Sequence, residues 1–145
     1  MKLIYVAGPY SASSEAQRLR NILNAWDVAR YIWALPGLAA ICPHCNSQHM
    51  GGEDIDYEKF LAGDFEILRR CDAVVLLPHW RASAGAKREA AWATQNKIPV
   101  VDMEDRLLNP RRHPATLGQE LQELFPGELS HSVTEPVPDL LEIAA

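Results

Sequence analysis

Four short apolar runs, separated by segments with helical spacing, constrain the fold of this chain more than any other feature. Each run spans five residues and is rich in valine, isoleucine, leucine or alanine, which is typical of strands covered on both faces. Strands that alternate with helices form a parallel sheet, because each crossover passes over one face of the sheet. We therefore predict strands at 3–7, 38–42, 73–77 and 98–102.

The intervening segments predict helices at 13–34, 56–71 and 86–95, with one more short helix within 107–125. The whole pattern predicts an α/β fold: a flavodoxin-like (Rossmann-like) doubly wound parallel sheet of four to five strands with helices on both faces. Such sheets bind ligands beyond the carboxyl ends of their strands. In the first helix, apolar residues recur mostly at steps of three and four, as in an amphipathic stripe: Leu19, Ile22, Leu23, Trp26, Ala29 and Trp33.

The length of the chain favours a single domain. At 145 residues it is close to the commonest size of one domain. We predict that this domain covers 1–126. The remaining segment, 127–145, is rich in proline and acidic residues and is predicted to be an irregular tail.

The composition argues against several classes of partner and location. A formal net charge of −5 provides no basic field for polymeric nucleic acid or an anionic membrane surface. No stretch approaches the roughly 20 apolar residues of a membrane span. The run at 3–7 is too short for a signal peptide, and three cysteines are an odd number for a disulfide framework. We therefore expect a cytoplasmic protein with reduced thiols.

A serine, a glycine and a glutamate follow the third predicted strand at a fixed spacing, as Ser83-x-Gly85-x-x-x-Glu89. A helix that begins near Gly85 places Glu89 about one turn inside it, close to the sheet edge. Ser83 and the free amides of that first turn can bind an anion such as phosphate. The same residues also fit an ordinary helix N-cap with a favourable carboxylate, and the spacing leaves both interpretations open.

A second carboxylate, Asp64, lies within the predicted helix 56–71. An aspartate in a helix usually belongs to a solvated face. Two carboxylates beside one pocket are, however, what cleavage of a glycosidic bond requires, because one attacks or stabilises the anomeric carbon while the other handles the proton of the leaving group. Asp64 with Glu89 is therefore a candidate catalytic pair.

Two thiols at C-x2-C spacing, Cys42 and Cys45, precede His49 and make up three potential zinc ligands. A structural zinc site needs four, and no second C-x2-C pair supplies the rest. We expect neither a metal nor an organic cofactor.

Three motifs in order resemble the nucleoside 2-deoxyribosyltransferase-like superfamily, which includes deoxynucleoside 5'-monophosphate N-glycosidases and cytidylate N-glycosidases. They are IYVAGP at 4–9, AGD at 62–64 with CDAVV at 71–75, and SAG at 83–85 with Glu89. The resemblance covers about residues 2–103. Three ordered motifs are more specific than any one of them alone.

The resemblance implies a double displacement at the sugar C1' atom. In it, Glu89 is the nucleophile, Tyr5 is hydrogen-bonded to Glu89, and Asp64 supplies or relays a proton to the departing base. A glutamyl-sugar ester is then hydrolysed by water or captured by another base. The resemblance also implies a homodimer or higher homo-oligomer, and a set of substrate-binding residues: Gly8, Pro9, Tyr10, His44, Ser83 and Gly85.

The residue six positions before the nucleophile separates branches of that superfamily. Transferases that act on free nucleosides commonly have an acid there, whereas this chain has Ser83. A hydroxyl at a helix amino end favours a phosphate, so we expect a nucleoside 5'-monophosphate as substrate and water as acceptor. The chain departs from the monophosphate hydrolases in lacking an arginine shortly after Gly8. A deoxyribosyltransferase and a non-catalytic nucleotide-binding sensor remain the alternatives.

Overall fold

The structure, a computed structural model, describes residues 1–48, 50 and 54–127. In this part of the chain, four strands alternate with helices. The strands are β1 (Lys2–Ala7), β2 (Leu38–Ile41), β3 (Ala73–Leu76) and β4 (Val100–Asp102). The helices are α1 (Glu15–Ala34), α2 (Pro43–Ser47), α3 (Tyr57–Leu68), α4 (Ala84–Gln95), α5 (Met103–Leu108) and α6 (Leu117–Leu124).

The strands form one parallel sheet in the order β2-β1-β3-β4. Strand β1 lies at the centre, where Tyr5 is opposite Ile41 on one side and Val74 on the other. The connection from β1 goes outward to β2, and the connection from β2 returns across the sheet to β3. The predicted α/β, flavodoxin-like, doubly wound fold is confirmed, and β1 and β3 flank the point at which the strand order reverses.

Alternation along β1 divides the core into two layers. Ile4 and Val6 point to the layer covered by α1, α5 and α6, whereas Tyr5 and Ala7 point to the layer covered by α3 and α4. All four side chains are buried. Successive strand residues face opposite sides of a sheet, so one apolar strand serves both layers.

The predicted apolar stripe of α1 is wrong in part, although the helix itself is present. The residues that α1 buries against the sheet are smaller and lie on one face: Ile22, Ala25, Val28, Ala29 and Ile32. Leu19, Leu23, Trp26 and Trp33 are exposed instead. The physical reason is that α1 carries two apolar faces, and the one with more alanine and β-branched residues packs closely on the sheet.

Short helices occupy two segments in which the sequence predicts a loop or one short helix. The predicted loop after β2 begins with α2, whose first residue, Pro43, suits the first turn of a helix. Helix α6 is the single short helix predicted within 107–125, and α5 is an additional short helix that begins directly after β4. Apart from Gly127, the predicted tail lies outside the described residues, so the domain boundary stays a prediction. Of the helices that the structure describes, none is long and apolar enough to cross a membrane.

A polar cluster joins α5 to α6. His113 lies between Asp105 (Nε2 to Oδ2, 2.8 Å) and Glu120 (Nδ1 to Oε1, 3.2 Å). Arg106 also pairs with Glu120 and donates to the carbonyl oxygen of Pro114. The carboxylates of Asp105 and Glu120 raise the pKa of His113, while partial burial opposes them. The cluster therefore favours a charged imidazolium that holds the two helices together.

Candidate active site

A cavity of about 220 Å³ opens at the carboxyl ends of the strands. Its walls come from the segments after β1 and β2, from α2, and from one side each of α3 and α4. This is the crevice where the strand order reverses, which is the expected ligand site of a doubly wound sheet. The lining residues are Val6, Gly8, Tyr10, Ser11, Pro43, His44, Ser47, Tyr57, Phe60, Leu61, Asp64, Ser83, Gly85, Ala86 and Glu89.

Glu89 lines the cavity from the second turn of α4, as its spacing from Ser83 predicts. The helix begins at Ala84, and its N-cap is Ser83, whose hydroxyl accepts a hydrogen bond from the amide of Ala86 at 3.2 Å. Only 6% of Glu89 is exposed. A buried carboxylate is costly unless it is partnered, so the surroundings of Glu89 decide its charge.

Tyr5 is the hydrogen-bond partner of Glu89. Its hydroxyl donates to Oε1 of Glu89 at 2.5 Å, and its side chain is fully buried in β1. Burial and the neighbouring carboxylate both raise the pKa of Tyr5 far above its ordinary value, so the phenol stays protonated and remains a donor. Tyr5 is not among the residues that line the cavity, and its geometry is that of a positioning residue that fixes Glu89.

Asp64 lines the same cavity from α3 and is half-buried. The solvated-face interpretation of its helical position is therefore wrong. Burial raises the pKa of Asp64 from an ordinary 3.8 to about 6. Three apolar or aromatic residues line the cavity from the same side of the helix, one turn and two turns before Asp64: Tyr57, Phe60 and Leu61.

The two carboxylates titrate close to neutrality. The pKa of Glu89 is raised to about 7: burial is the largest cause, the hydrogen bond from Tyr5 opposes it, and the charge of Asp64 adds to it. Each of these carboxyl groups can therefore be protonated or ionised near neutral pH, which is a property that acid–base catalysis requires.

His44 closes another side of the cavity from α2. Its Nε2 lies 2.7 Å from the carbonyl oxygen of Pro9, and because a carbonyl can only accept, Nε2 carries the proton. Burial lowers the pKa of His44, so the ring is neutral and Nδ1 is an acceptor. Nδ1 is buried and has no hydrogen-bond partner among the described residues. The structure thus places Pro9 behind His44 rather than on the cavity wall.

Gly8 and Tyr10 form the segment that follows β1. A Cβ atom at Gly8 would lie 2.6 Å from Cδ1 of Leu77, so only glycine lets this segment pass over β3. The ring of Tyr10 packs edge-on against His44 with centroids 5.5 Å apart. Its hydroxyl accepts a long hydrogen bond from Arg18 at 3.4 Å. Both Gly8 and Tyr10 line the cavity.

Ser83 and Gly85 bring the amino end of α4 to the cavity. A Cβ atom at Gly85 would lie 2.9 Å from the hydroxyl of Tyr57, so glycine allows α3 and α4 to meet closely there. First-turn amides of a helix have no partner within the helix and favour an anion. None of the residues that line the described cavity is lysine or arginine, so a phosphate here would be bound by amides and hydroxyls.

The structure contains no candidate metal centre in the part of the chain that it describes. No group of three or more His, Cys, Asp or Glu side chains lies close enough there to hold a metal ion. Cys42 is buried and Cys45 is exposed, and both are free thiols. His49, the third ligand weighed for zinc, lies outside the described residues.

Several lining residues were not singled out from the sequence. Ser11 and Ser47 add hydroxyls, and the α3 positions 57, 60 and 61 add an aromatic and apolar wall. The α3 residues carried a usable signal, because they share a helical face with Asp64 at steps of three and four. That face lines the cavity together with Asp64.

Comparison with known proteins gives a family but no activity. No curated protein matches the chain. A family model described as "Domain of unknown function (DUF4406)" matches residues 2–102, which include the whole sheet and every residue that lines the cavity. The chain belongs to the DUF4406 family.

Proposed function

We propose that this protein is an N-glycosidase that hydrolyses the bond between base and sugar in a nucleoside 5'-monophosphate. One observation carries the proposal: two carboxylates, Glu89 and Asp64, lie on one cavity with pKa values raised to about 7 and about 6, and Glu89 is fixed by Tyr5. The motif resemblance to the nucleoside 2-deoxyribosyltransferase-like superfamily adds support, because these three residues match its catalytic positions.

In the proposed first step, a carboxylate oxygen of Glu89 attacks C1' of the sugar. The bond between C1' and the base nitrogen breaks, its electron pair leaves with the base, and Asp64 donates a proton to the base. The products of this step are the free base and a glutamyl-sugar ester. Tyr5 holds the attacking carboxylate in place and, by donating to it, favours its ionised form.

In the proposed second step, water cleaves the ester. Asp64, now ionised, takes a proton from the water, whose oxygen bonds to C1' while the bond to Glu89 breaks. Glu89 returns to its ionised form, and the free sugar phosphate leaves. Two carboxylates that exchange roles in this way account for the whole cycle without a cofactor.

The pKa values of both carboxyl groups are raised toward neutrality, so each group exchanges its proton near neutral pH. The first step needs the proton on Asp64 and an ionised Glu89. The contacts of a bound substrate are expected to favour that distribution of the proton. The rate is therefore expected to have a bell-shaped dependence on pH with its maximum near neutrality.

The phosphate preference is supported by the amino end of α4. The hydroxyl of Ser83 accepts from the Ala86 amide and keeps its own proton available for a phosphate oxygen. The amides of Ala84 and Gly85 belong to the same first turn. An acid at position 83 would repel the phosphate, which is why Ser83 favours a monophosphate over a free nucleoside.

The test is chromatography for free base after incubation with each ribo- and deoxyribonucleoside 5'-monophosphate and with the unphosphorylated nucleosides. We expect base release from at least one monophosphate by the wild type, and a loss of at least 100-fold in Glu89→Gln and Asp64→Asn. Glu123→Gln on the exposed side of α6 is the matched control and should retain full activity. Faster release from a nucleoside than from its monophosphate would contradict the role given to Ser83.

A second base added to the same reactions tests the alternative fate of the ester. Exchange of bases in place of hydrolysis would mean that the protein is a transferase and not the proposed hydrolase. Binding of a monophosphate without any base release or base exchange would contradict both enzymatic proposals. The non-catalytic nucleotide-binding sensor would then be the remaining interpretation.

A further inference from the structure

Helix α1 carries a row of large apolar side chains that the described residues 1–48, 50 and 54–127 leave exposed. Leu19 is 53% exposed, Leu23 and Trp26 are each 44% exposed, and Trp33 is 58% exposed. We call these four residues the α1 seam. The indole of Trp33 donates to the carbonyl oxygen of Ala40 at 3.0 Å, so the end of the seam is held in place on edge strand β2.

The spacing of the seam is that of a coiled-coil heptad. Leu19, Trp26 and Trp33 repeat every seven residues, and Leu23 and Arg30 alternate with them at steps of four and three. Leu19, Trp26 and Trp33 are thus d positions of the heptad, and Leu23 and Arg30 are a positions. Ala16 is the a position of the first turn. An apolar row with this period is typical of a helix that packs alongside a second helix.

We propose that the α1 seam is a dimer interface, in which α1 pairs antiparallel with α1 of a second copy of this chain. In the antiparallel register that overlaps the two helices completely, Leu23 of one copy meets Trp26 of the other at the centre. Trp33 then meets the small Ala16, and the aliphatic stem of Arg30 covers Leu19. The central layers are thus formed by large apolar residues, whereas the outer ones pair a large residue with a small or flexible one.

Charge supports the same orientation. The positions next to the seam on its solvent side are Arg20 and Asp27, which are e positions of the heptad. In an antiparallel pair the e positions of the two helices face each other, so Arg20 of each copy faces Asp27 of the other. In a parallel pair the e positions would face g positions, which here are the buried Ile22 and Ala29.

The area fits a reversible dimer. Four large side chains that are each about half exposed present about 400 Å² of apolar surface, which is near the largest patch that monomers usually tolerate. The full helix face with its polar flanks lies at the lower end of specific interfaces, so we expect a dissociation constant in the micromolar range. This inference does not depend on the proposed activity.

Sedimentation velocity of the full-length chain over the micromolar range tests the dimer. We expect a concentration-dependent dimer in the wild type and a monomer in Leu23→Glu and Trp26→Glu. The matched control is Leu108→Glu, which places the same charge on a residue that is 72% exposed in α5, outside the seam. It should dimerise as the wild type does. Far-UV circular dichroism verifies that each variant is folded.

Charge reversal tests the orientation without altering the apolar seam. Arg20→Glu should weaken the dimer about fivefold or more, because the contact occurs twice, and adding Asp27→Arg should restore it. A wild type that remains a monomer at the highest concentration would overturn the proposal. A dimer that Leu23→Glu and Trp26→Glu leave intact would overturn it as well, and a dimer that Arg20→Glu leaves unchanged would overturn the antiparallel arrangement.

Discussion

Replacing Glu89 by glutamine should stabilise the protein above neutral pH. The change keeps the shape of the side chain and an oxygen that accepts from Tyr5, but it removes a negative charge that is 6% exposed. The pKa of Glu89 is raised in the folded protein, so the folded state binds a proton more tightly than the unfolded state. A carboxyl group of this kind costs stability as the pH rises from its unfolded pKa to its folded pKa.

The magnitude follows from the two pKa values. The pKa of Glu89 rises from an ordinary 4.5 to about 7, and each unit corresponds to about 1.4 kcal/mol, so the cost approaches about 3 kcal/mol above pH 7. Below pH 4.5 the carboxyl is protonated in both states and the cost vanishes. The gain from Glu89→Gln should therefore be near zero in acid and grow through the range between these pKa values.

Urea unfolding of the wild type and Glu89→Gln at a series of pH values measures this difference. The exposed Glu123→Gln is the matched control and should show little pH-dependent gain. The reasoning would be refuted if the variant were destabilised at pH 8, or if its free energy of unfolding differed from that of the wild type by the same amount at every pH. Either result would mean that Glu89 is not held in a desolvated site.

Three further predictions follow from individual contacts. Tyr5→Phe removes the hydrogen bond that favours ionised Glu89, so the pKa of Glu89 should rise. Carbon-13 NMR titration of the Glu89 carboxyl measures this directly, and an unchanged titration would contradict it. Gly8→Ala should cost about 1 to 3 kcal/mol in urea unfolding, since its Cβ atom would lie 2.6 Å from Leu77, and a neutral result would mean that the segment shifts freely. His113 has a raised pKa, so its contribution to stability is complete below its ordinary pKa and is lost as the pH rises through the raised value. The Tm of the wild type should therefore fall across that pH window more than the Tm of His113→Gln. Parallel curves of Tm against pH would count against the ion pairs.

The fold was predictable because its signals are local and redundant. Each strand is a nearly continuous apolar run, and each helix between strands shows its own period, so the order of elements alone indicates a doubly wound sheet. The face of α1 was not predictable in the same way. Its alanine-rich face and its leucine- and tryptophan-rich face both have helical spacing, and which of them meets the sheet depends on how closely the helix must approach β1 and β2.

The site was partly predictable for a similar reason. Glu89 and Asp64 both lie on the cavity because parallel strands bring the segments that follow them to one edge of the sheet, a rule that needs only the element order. The neutral state of His44 was not accessible from the sequence. It depends on a contact with the carbonyl oxygen of Pro9, 35 positions away in the chain, and on a depth of burial that no local pattern encodes.

The central claim is that Glu89 forms a covalent bond to the sugar during turnover, and mass spectrometry of acid-quenched protein tests it most directly. The protein is mixed with a monophosphate whose base it releases, quenched during the first turnovers, and digested. The account predicts that the peptide containing Glu89 gains the mass of the sugar phosphate, and that Glu89→Gln shows no such species. Base release in which the adduct lies on another residue, or a chain that releases no base from any nucleotide, would contradict it.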